Sequence, residues 1–347
     1  MKNKKLLKWH SWLGLISGLF ILMMGITGSI LVFHKEIDTA IERDFLFVEN
    51  PSAEINIDAA LRNILQEYPE WDTRITSFNK IDEAIVFDLR KDNNTKRLKV
   101  FAHPGNGTIL KTINANTHFT RWLLKLHYSL HAGTPGKIII FIIGILFIGS
   151  LITGTILYRK QLINVLCFRV RFKKKNRRSI YSSIHRIVGV WALVLNFVLA
   201  ITGTIISYTI ATNAFKTPKD INTPNHIPVS IDRTLQQLKT SHADFYPSYI
   251  RVPTSFDAPM KFYGVFKDDA VIWSKYYNNI RIDRISGKVN SVTKIKDQSL
   301  LYKLNSMLHP LHFGDYGGLL SKLLYCLIGF SGPTLSITGF LLFKRRK

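Results

Sequence analysis

Seven histidines stand at the ends of long apolar runs: His10, His34, His127, His131, His185, His309 and His312. Ionisable groups at the boundaries of spanning segments are functional by default. Neutral imidazole is a ligand for zinc, copper and haem iron. No cysteine or carboxylate lies beside these residues to complete a tetrahedral zinc site. A bis-imidazole haem needs only two histidines on facing helices, apolar walls and room for a flat macrocycle. The other four histidines, His103, His118, His226 and His242, sit in polar sequence and read as solvated or locally bonded side chains.

Four segments must position these imidazoles: roughly 12–34, 136–158, 187–209 and 319–343, with Lys137 and Lys322, each near the start of its segment, their only charges. At ~1.5 Å rise per residue each is long enough to cross a hydrocarbon core of ~30 Å. Two polar segments separate them, each long enough for a small domain. The expected order is helix 1 (1–34), external domain 1 (35–121), helix 2 (122–158), a basic loop (159–186), helix 3 (187–209), external domain 2 (210–305), then helix 4 and tail (306–347). The fold class is a membrane four-helix bundle with two extracytoplasmic α+β domains.

Charge fixes the orientation. Residues 1–10, 159–186 and 344–347 hold 18 of the 47 basic residues and none of the 23 acidic ones, so the rest of the chain carries only +6. The positive-inside rule puts both termini and the 159–186 loop in the cytoplasm and both polar domains outside. Topology thus accounts for the basic excess, and no nucleic-acid partner is expected. The first helix is too long for a signal-peptide core and no small-residue cleavage site follows, so it reads as an anchor. Cys167 and Cys326 both lie outside the polar domains, so no disulfide framework is expected there.

The second half repeats the first. Residues 183–203 match 8–28 at an offset of 175, placing His185 on His10 and Thr202-Gly203 on Thr27-Gly28. SIDRTLQQLK matches the helical segment INIDAALRNILQEY, Asp232 falling on Asp58, a candidate N-cap. LHPLHFGDYGG matches LHYSLHAGTPG, which puts His312 on His131 when Gly314 is set on Gly133. Both copies run the same way, an internal parallel duplication with its pseudo-twofold axis along the membrane normal. All four helices contain I-T-G, with Gly28 and Gly203 near the outer surface and Gly154 and Gly339 near the inner one. Each histidine layer faces a glycine layer, which provides space for a macrocycle or simply close helix packing. The expectation is two haems: an inner one on His10 and His185, an outer one on His312 with His131 or His127. These last two are four apart on one helix face, so spacing does not choose between them. His34 is at the outer level and is a third candidate there.

W-H-x-W-x-G near the start, L-H-x-x-L-H-A-G-x-x-G, P-L-H-F-G-D-Y-G-G and the helix–domain–helix repeat resemble the PepSY-associated transmembrane helix family over nearly the whole chain. That family includes iron-regulated inner-membrane proteins and ferric-siderophore reductases with haem b. The resemblance implies PepSY-like external domains and places family histidines on His10, His127, His185 and His312, so it favours His127 where the internal alignment favours His131. It further implies an enzyme of the bacterial inner membrane that reduces ferric siderophores. No P-loop or dinucleotide fingerprint is present, so the donor is expected to be a separate flavoprotein or a quinol. The alternative is a membrane-anchored binding protein, since PepSY domains elsewhere are linked to peptidase inhibition. A secondary transporter is disfavoured by the lack of acidic residues in the helices.

Overall fold

An apolar run in lipid satisfies its backbone only as a helix or a closed barrel. Four helices here are long and apolar enough to cross a membrane: Lys4–Leu31, Gly133–Leu166, Leu193–Asn213 and Gly318–Lys344. The computed structural model describes residues 2–49, 51, 54–92, 95–217, 221, 224 and 227–345; His226 lies outside them. In chain order the helices are α1 (Lys2–Leu31), α2 (His34–Ile41), α3 (Arg43–Leu46), α4 (Ile57–Glu67), α5 (Phe119–Ser129) and α6 (Gly133–Tyr158). They continue with α7 (Leu162–Leu166), α8 (Arg177–Trp191), α9 (Leu193–Asn213), α10 (Ile231–Ser241), α11 (Leu300–Phe313) and α12 (Gly318–Lys344). The chain divides into a helical unit (Met1–His34, Leu123–Lys216, Leu308–Lys347) and a second unit (Lys35–Trp122, Thr217–Met307).

In the helical unit α1 packs between α6 and α12, while α9 completes the bundle against α6 and α8 against α12. Small residues make the crossings. A Cβ on Gly25 would lie 2.5 Å from both the Gly329 carbonyl and the Pro333 ring. Pro333 lacks the N–H that would bond Gly329 in a regular helix, and this freed carbonyl is what lies against Gly25. One turn on, Ser29 Oγ donates to the Cys326 carbonyl at 3.0 Å. On the opposite pair, a Cβ on Gly144 would meet Thr204 Oγ1 at 2.4 Å. The outward surface is apolar, with Leu19 72%, Val194 72% and Leu320 79% exposed, which a lipid bilayer would cover.

Three expected helices are interrupted. Residues 122–158 are not one helix: α5 ends at Ser129, Leu130 and His131 are left-handed (φ 54° and 55°), and α6 starts at Gly133. The turn is tight, since a Cβ on Gly136 would overlap the Ser129 carbonyl. Residues 306–343 break likewise between α11 and α12, at Gly314 and Gly318 with φ 69° and 62°. The third span bends at Ala192 between α8 and α9, although the Ala192 N–H still reaches the Val188 carbonyl and the Asn196 N–H the Ala192 carbonyl.

In the second unit the segments that alternate in sequence as half-buried strands do, ITSFN, AIVFDLR and RLKVFAH, lie in one sheet rather than in two domains. Strands β1 (Asp72–Ser77), β2 (Ile85–Lys91), β3 (Lys96–Ala102), β4 (Ile109–Asn114), β5 (Phe245–Arg251), β6 (Met260–Phe266), β7 (Asn278–Ile282) and β8 (Val289–Thr293) form one antiparallel sheet, ordered β4-β3-β2-β1-β5-β6-β7-β8. The two polar segments meet at β1 and β5, where Ile75 pairs with Ile250. Phe87 pairs with Ile75 and Phe262 with Ile250, so both opposed pairs keep the 175-residue offset of the helices. One face of the sheet is apolar and carries α4 and α10 over Ile75, Phe87, Ile250 and Phe262, all fully buried.

Asp58 is not the cap of its own helix. Asn56 caps α4 and Ser230 caps α10. Asp58 accepts from the Ile231 N–H at 2.6 Å, while Asp232 accepts from the N–H groups of Ile57 (3.2 Å) and Asp58 (3.0 Å). Each aspartate thus satisfies orphan donors at the other helix's start, contacts of a kind that contribute about 1 kcal/mol each. Burial, and Asp58 close by, push the Asp232 carboxyl above its usual range. PGNG (104–107) reads as a turn in sequence and is one: His103 accepts from the N–H groups of Gly105 and Asn106, and Gly107 and its counterpart Gly287 take φ of 72° and 70°. His118 lies 3.1 Å from Asp38 in the same unit, and His242 bonds Ser241.

Candidate cofactor-binding site

The helical unit brings four of the seven boundary histidines together in two pairs. His10, on α1, and His185, on α8, have ring centroids 6.2 Å apart at 78° between planes. His127, near the end of α5, and His312, near the end of α11, have centroids 6.4 Å apart at 61°. His10 and Thr27 are 17 residues apart on α1, as are His185 and Thr202 along α8 and α9, and Thr27 and Thr202 bond the second pair. At ~1.5 Å per residue the two pairs are therefore roughly 25 Å apart along the bundle.

Each imidazole is held the same way. His10 Nδ1 lies 3.2 Å from Thr153 Oγ1 and 3.1 Å from the Ser150 carbonyl. His127 Nδ1 lies 2.8 Å from Thr27 Oγ1, His185 Nδ1 2.9 Å from Thr338 Oγ1, and His312 Nδ1 3.1 Å from Thr202 Oγ1. These four threonines are the middle residues of the four I-T-G steps. Each hydroxyl also donates to the carbonyl four residues back: Met23, Gly149, Val198 and Thr334. With its proton committed there, the threonine oxygen accepts from the ring. Nδ1 therefore carries the hydrogen, which puts the lone pair on Nε2. The Ser150 carbonyl, which only accepts, fixes the same tautomer at His10. A ring nitrogen donating to a fixed acceptor while the other is left basic is the arrangement that orients a metal-ligating histidine.

The following glycine makes the seat. A Cβ would come 3.1 Å from His10 Cε1 at Gly154, 3.3 Å from His127 Cε1 at Gly28, 3.4 Å from His185 Cε1 at Gly339 and 2.8 Å from His312 Cε1 at Gly203. The glycines thus lie against the imidazole rings, where the sequence reading gave them to a macrocycle or to helix packing. That reading used only the glycine of I-T-G. The threonine's role was missed, although its presence in all four helices was a usable signal.

The remaining three boundary histidines are placed elsewhere. His131 is exposed beyond the end of α5, so it does not share a helix face with His127. The alignment that set it against His312 is four residues out. Gly318 corresponds to Gly133, both left-handed glycines that open a spanning helix, and this shift of 185 also relates His312 to His127 and Thr338 to Thr153. His34 Nδ1 donates to the Leu31 carbonyl at 2.9 Å, a local bond where the chain leaves α1. His309 is exposed, its ring 5.3 Å from Phe313.

The donor set suits one kind of group. Among the described residues no three histidines, cysteines or carboxylates cluster to hold a bare metal ion. Two imidazoles per layer would suit a group that brings its other nitrogen donors with it, as a haem does. An ion bound at about 2 Å by both nitrogens, with roughly 1 Å more from each nitrogen to its ring centre, spaces the centroids about 6 Å apart. Both pairs match that spacing.

Compared with known families, residues 7–346 match the model of the one described as PepSY-associated TM region. No curated protein matches the chain.

Proposed function

The chain belongs to the PepSY-associated TM region family over essentially its whole length, and from that premise we propose that it is a di-haem b protein carrying electrons across the bacterial inner membrane to reduce ferric iron. His10 and His185 would hold the inner haem, His127 and His312 the outer one. Bound there, the two haems supply one-electron carriers at two depths of an apolar bundle. The observation that carries the reading is the fourfold repetition of one seat: a histidine Nδ1 on a threonine oxygen, its ring against the next glycine, in two pairs at ligand spacing.

The chain's own residues divide the work. The threonines fix the tautomer and the glycines let the rings approach. The apolar helix surfaces exclude water from the crossing. By the positive-inside rule both termini and the 159–186 loop are cytoplasmic and the second unit is extracytoplasmic. The donor is then a cytoplasmic flavoprotein or a quinol at the inner pair, and the acceptor a ferric siderophore or other ferric chelate outside. Hard oxygen chelators hold Fe(II) more weakly than Fe(III), so one-electron reduction releases the metal.

Two haems per polypeptide, with a reduced-minus-oxidised spectrum of bis-histidine b type, are expected of the purified protein. A colourless protein after expression with ample haem would defeat the proposal and leave the anchored binding protein. A finer test is Thr202→Val, which keeps the shape but removes the acceptor of His312. Loss of such a partner weakens metal binding by about 10- to 100-fold. The outer haem should dissociate faster into an apo-globin acceptor, while the inner one stays as in wild type. Equal release of both haems in this variant would remove the threonine from its orienting role.

A further inference from the structure

The sheet of the second unit has a face that α4 and α10 do not cover. Strand alternation puts Asp72 and Arg74 of β1, Asp88 and Arg90 of β2, Arg97 of β3, Tyr249 and Arg251 of β5 and Tyr263 of β6 on it. At the seam between the two polar segments, Arg74 stands directly opposite Arg251. Like charges opposed across a strand pair destabilise the sheet unless something holds them. Here Asp72 Oδ2 accepts from Arg74 and, at 3.1 Å, from Arg251. Asp88 accepts from Arg90 at 2.7 Å and from Arg97 at 2.6 Å and 2.9 Å. Four guanidinium groups therefore share two carboxylates, which leaves a surplus of two positive charges.

The surplus lines a cavity. Arg74, Arg90, Tyr249, Arg251, Tyr263 and Tyr276 line an open recess of about 300 Å³, the lower end of the range of small-molecule sites. The guanidiniums are only partly accessible, with side-chain exposures of 15% for Arg74, 23% for Arg90 and 36% for Arg251. The tyrosines form one aromatic group, Tyr249 lying edge-on to Tyr263 at 5.6 Å and to Tyr276 at 5.3 Å. Burial keeps the Tyr249 phenol protonated against the pull of Arg74 and Arg90, so it is a hydrogen-bond donor beside the arginines. A structural role for the arginines alone would be met by pairing each with its own acid. The shared acids, the cavity and the ring cluster together describe a recess for a ligand that is both negative and aryl-bearing.

We propose that this recess binds an anionic, aryl-bearing ferric chelate, the ferric catecholate class, with Arg74, Arg90 and Arg251 meeting its negative oxygens and the three tyrosines its rings. The proposal rests on the reading of the protein as a ferric-chelate reductase and names the class of its substrate. Guanidinium forks match paired oxygens, and their charge is independent of pH over the working range. Aromatic edges and faces accommodate aryl groups. A neutral or cationic hydroxamate chelate offers neither feature.

The test uses the full-length, haem-loaded protein in detergent and gallium(III) in place of iron(III), so that binding is read without reduction. Equilibrium dialysis, with gallium counted by mass spectrometry, compares the trianionic tris(catecholate) complex with a gallium trihydroxamate bearing no negative charge. The wild type should hold the tris-catecholate complex at least tenfold more tightly. Arg251→Gln and Arg74→Gln should each weaken it about tenfold or more, and Tyr276→Ala severalfold, with no effect on the trihydroxamate. Tyr276 is half exposed and outside the strands, so its variant stays informative should an arginine variant unfold. Equal affinity for the two complexes, or variants that bind like wild type, would overturn the assignment. Haem content is read on the same samples. Haem present without chelate preference sinks the recess alone, whereas chelate binding by a haem-free chain sinks the electron-transfer reading and leaves the recess standing.

Discussion

If the chain binds two haems as proposed, a His185→Ala variant expressed with ample haem should carry about one, and the retained one should be the outer. The reason is the division of ligands. His10 has only His185 opposite it, at 6.2 Å between ring centroids, and among the described residues no third histidine, cysteine or carboxylate completes a metal-binding cluster there. A haem left with one axial imidazole is held more weakly and loses its bis-histidine spectrum. The outer pair lies roughly 25 Å away by helix rise and shares neither ligand nor seat with the inner one. Haem per polypeptide and the reduced-minus-oxidised spectrum should show the loss directly. Electron entry from the cytoplasmic side should stop, while chemical reduction of the outer haem persists. His10→Ala should behave the same way, and two full haems in both variants would refute the inner assignment.

Gly203→Ala should disturb the outer haem severely, whereas Gly339→Ala should leave the inner haem close to wild type. A methyl at 203 would lie 2.8 Å from His312 Cε1, closer than side-chain carbons come to one another, and the ring is pinned by Thr202 on the same turn. It must tilt or leave its threonine, and a ligand displaced by a few tenths of an ångström no longer points at the iron. A methyl at 339 would lie 3.4 Å from His185 Cε1, a contact the ring can absorb. The same one-carbon change should thus give opposite outcomes at two like positions. Redox potentiometry with haem quantification reads it, and Gly203→Leu should extend the loss. If both alanine variants were silent, the glycines would be ordinary packing residues.

Much of this site was legible before any coordinates. Seven histidines at run ends and four I-T-G steps are one-dimensional facts, and their depth follows from counting residues. The choice among the outer histidines was not legible from spacing, although the family resemblance favoured His127. His127 and His131 look alike on a helical wheel, and only the left-handed turn at Leu130 and His131 separates them. A non-glycine residue with positive φ leaves no clear mark in sequence, so the wheel was drawn past the end of α5. The internal alignment slipped by four residues for a related cause, since it set Gly133, which opens α6, against Gly314 within the second connecting turn rather than against Gly318, which opens α12. In the second unit strand periodicity located β1 to β3, but not that β1 would pair with β5. Pairing between distant segments depends on which edges are left open, and that is a property of the assembled sheet.

The exchanged contacts of Asp58 and Asp232 carry a consequence for how the molecule can be divided. Each half of the polypeptide leaves the amide groups at its own α4 or α10 reaching for a carboxylate encoded in the other half. Each imidazole pair likewise draws one member from either side of the chain's midpoint. Neither half is therefore a self-sufficient module, and two pieces made separately should regain these contacts only when mixed.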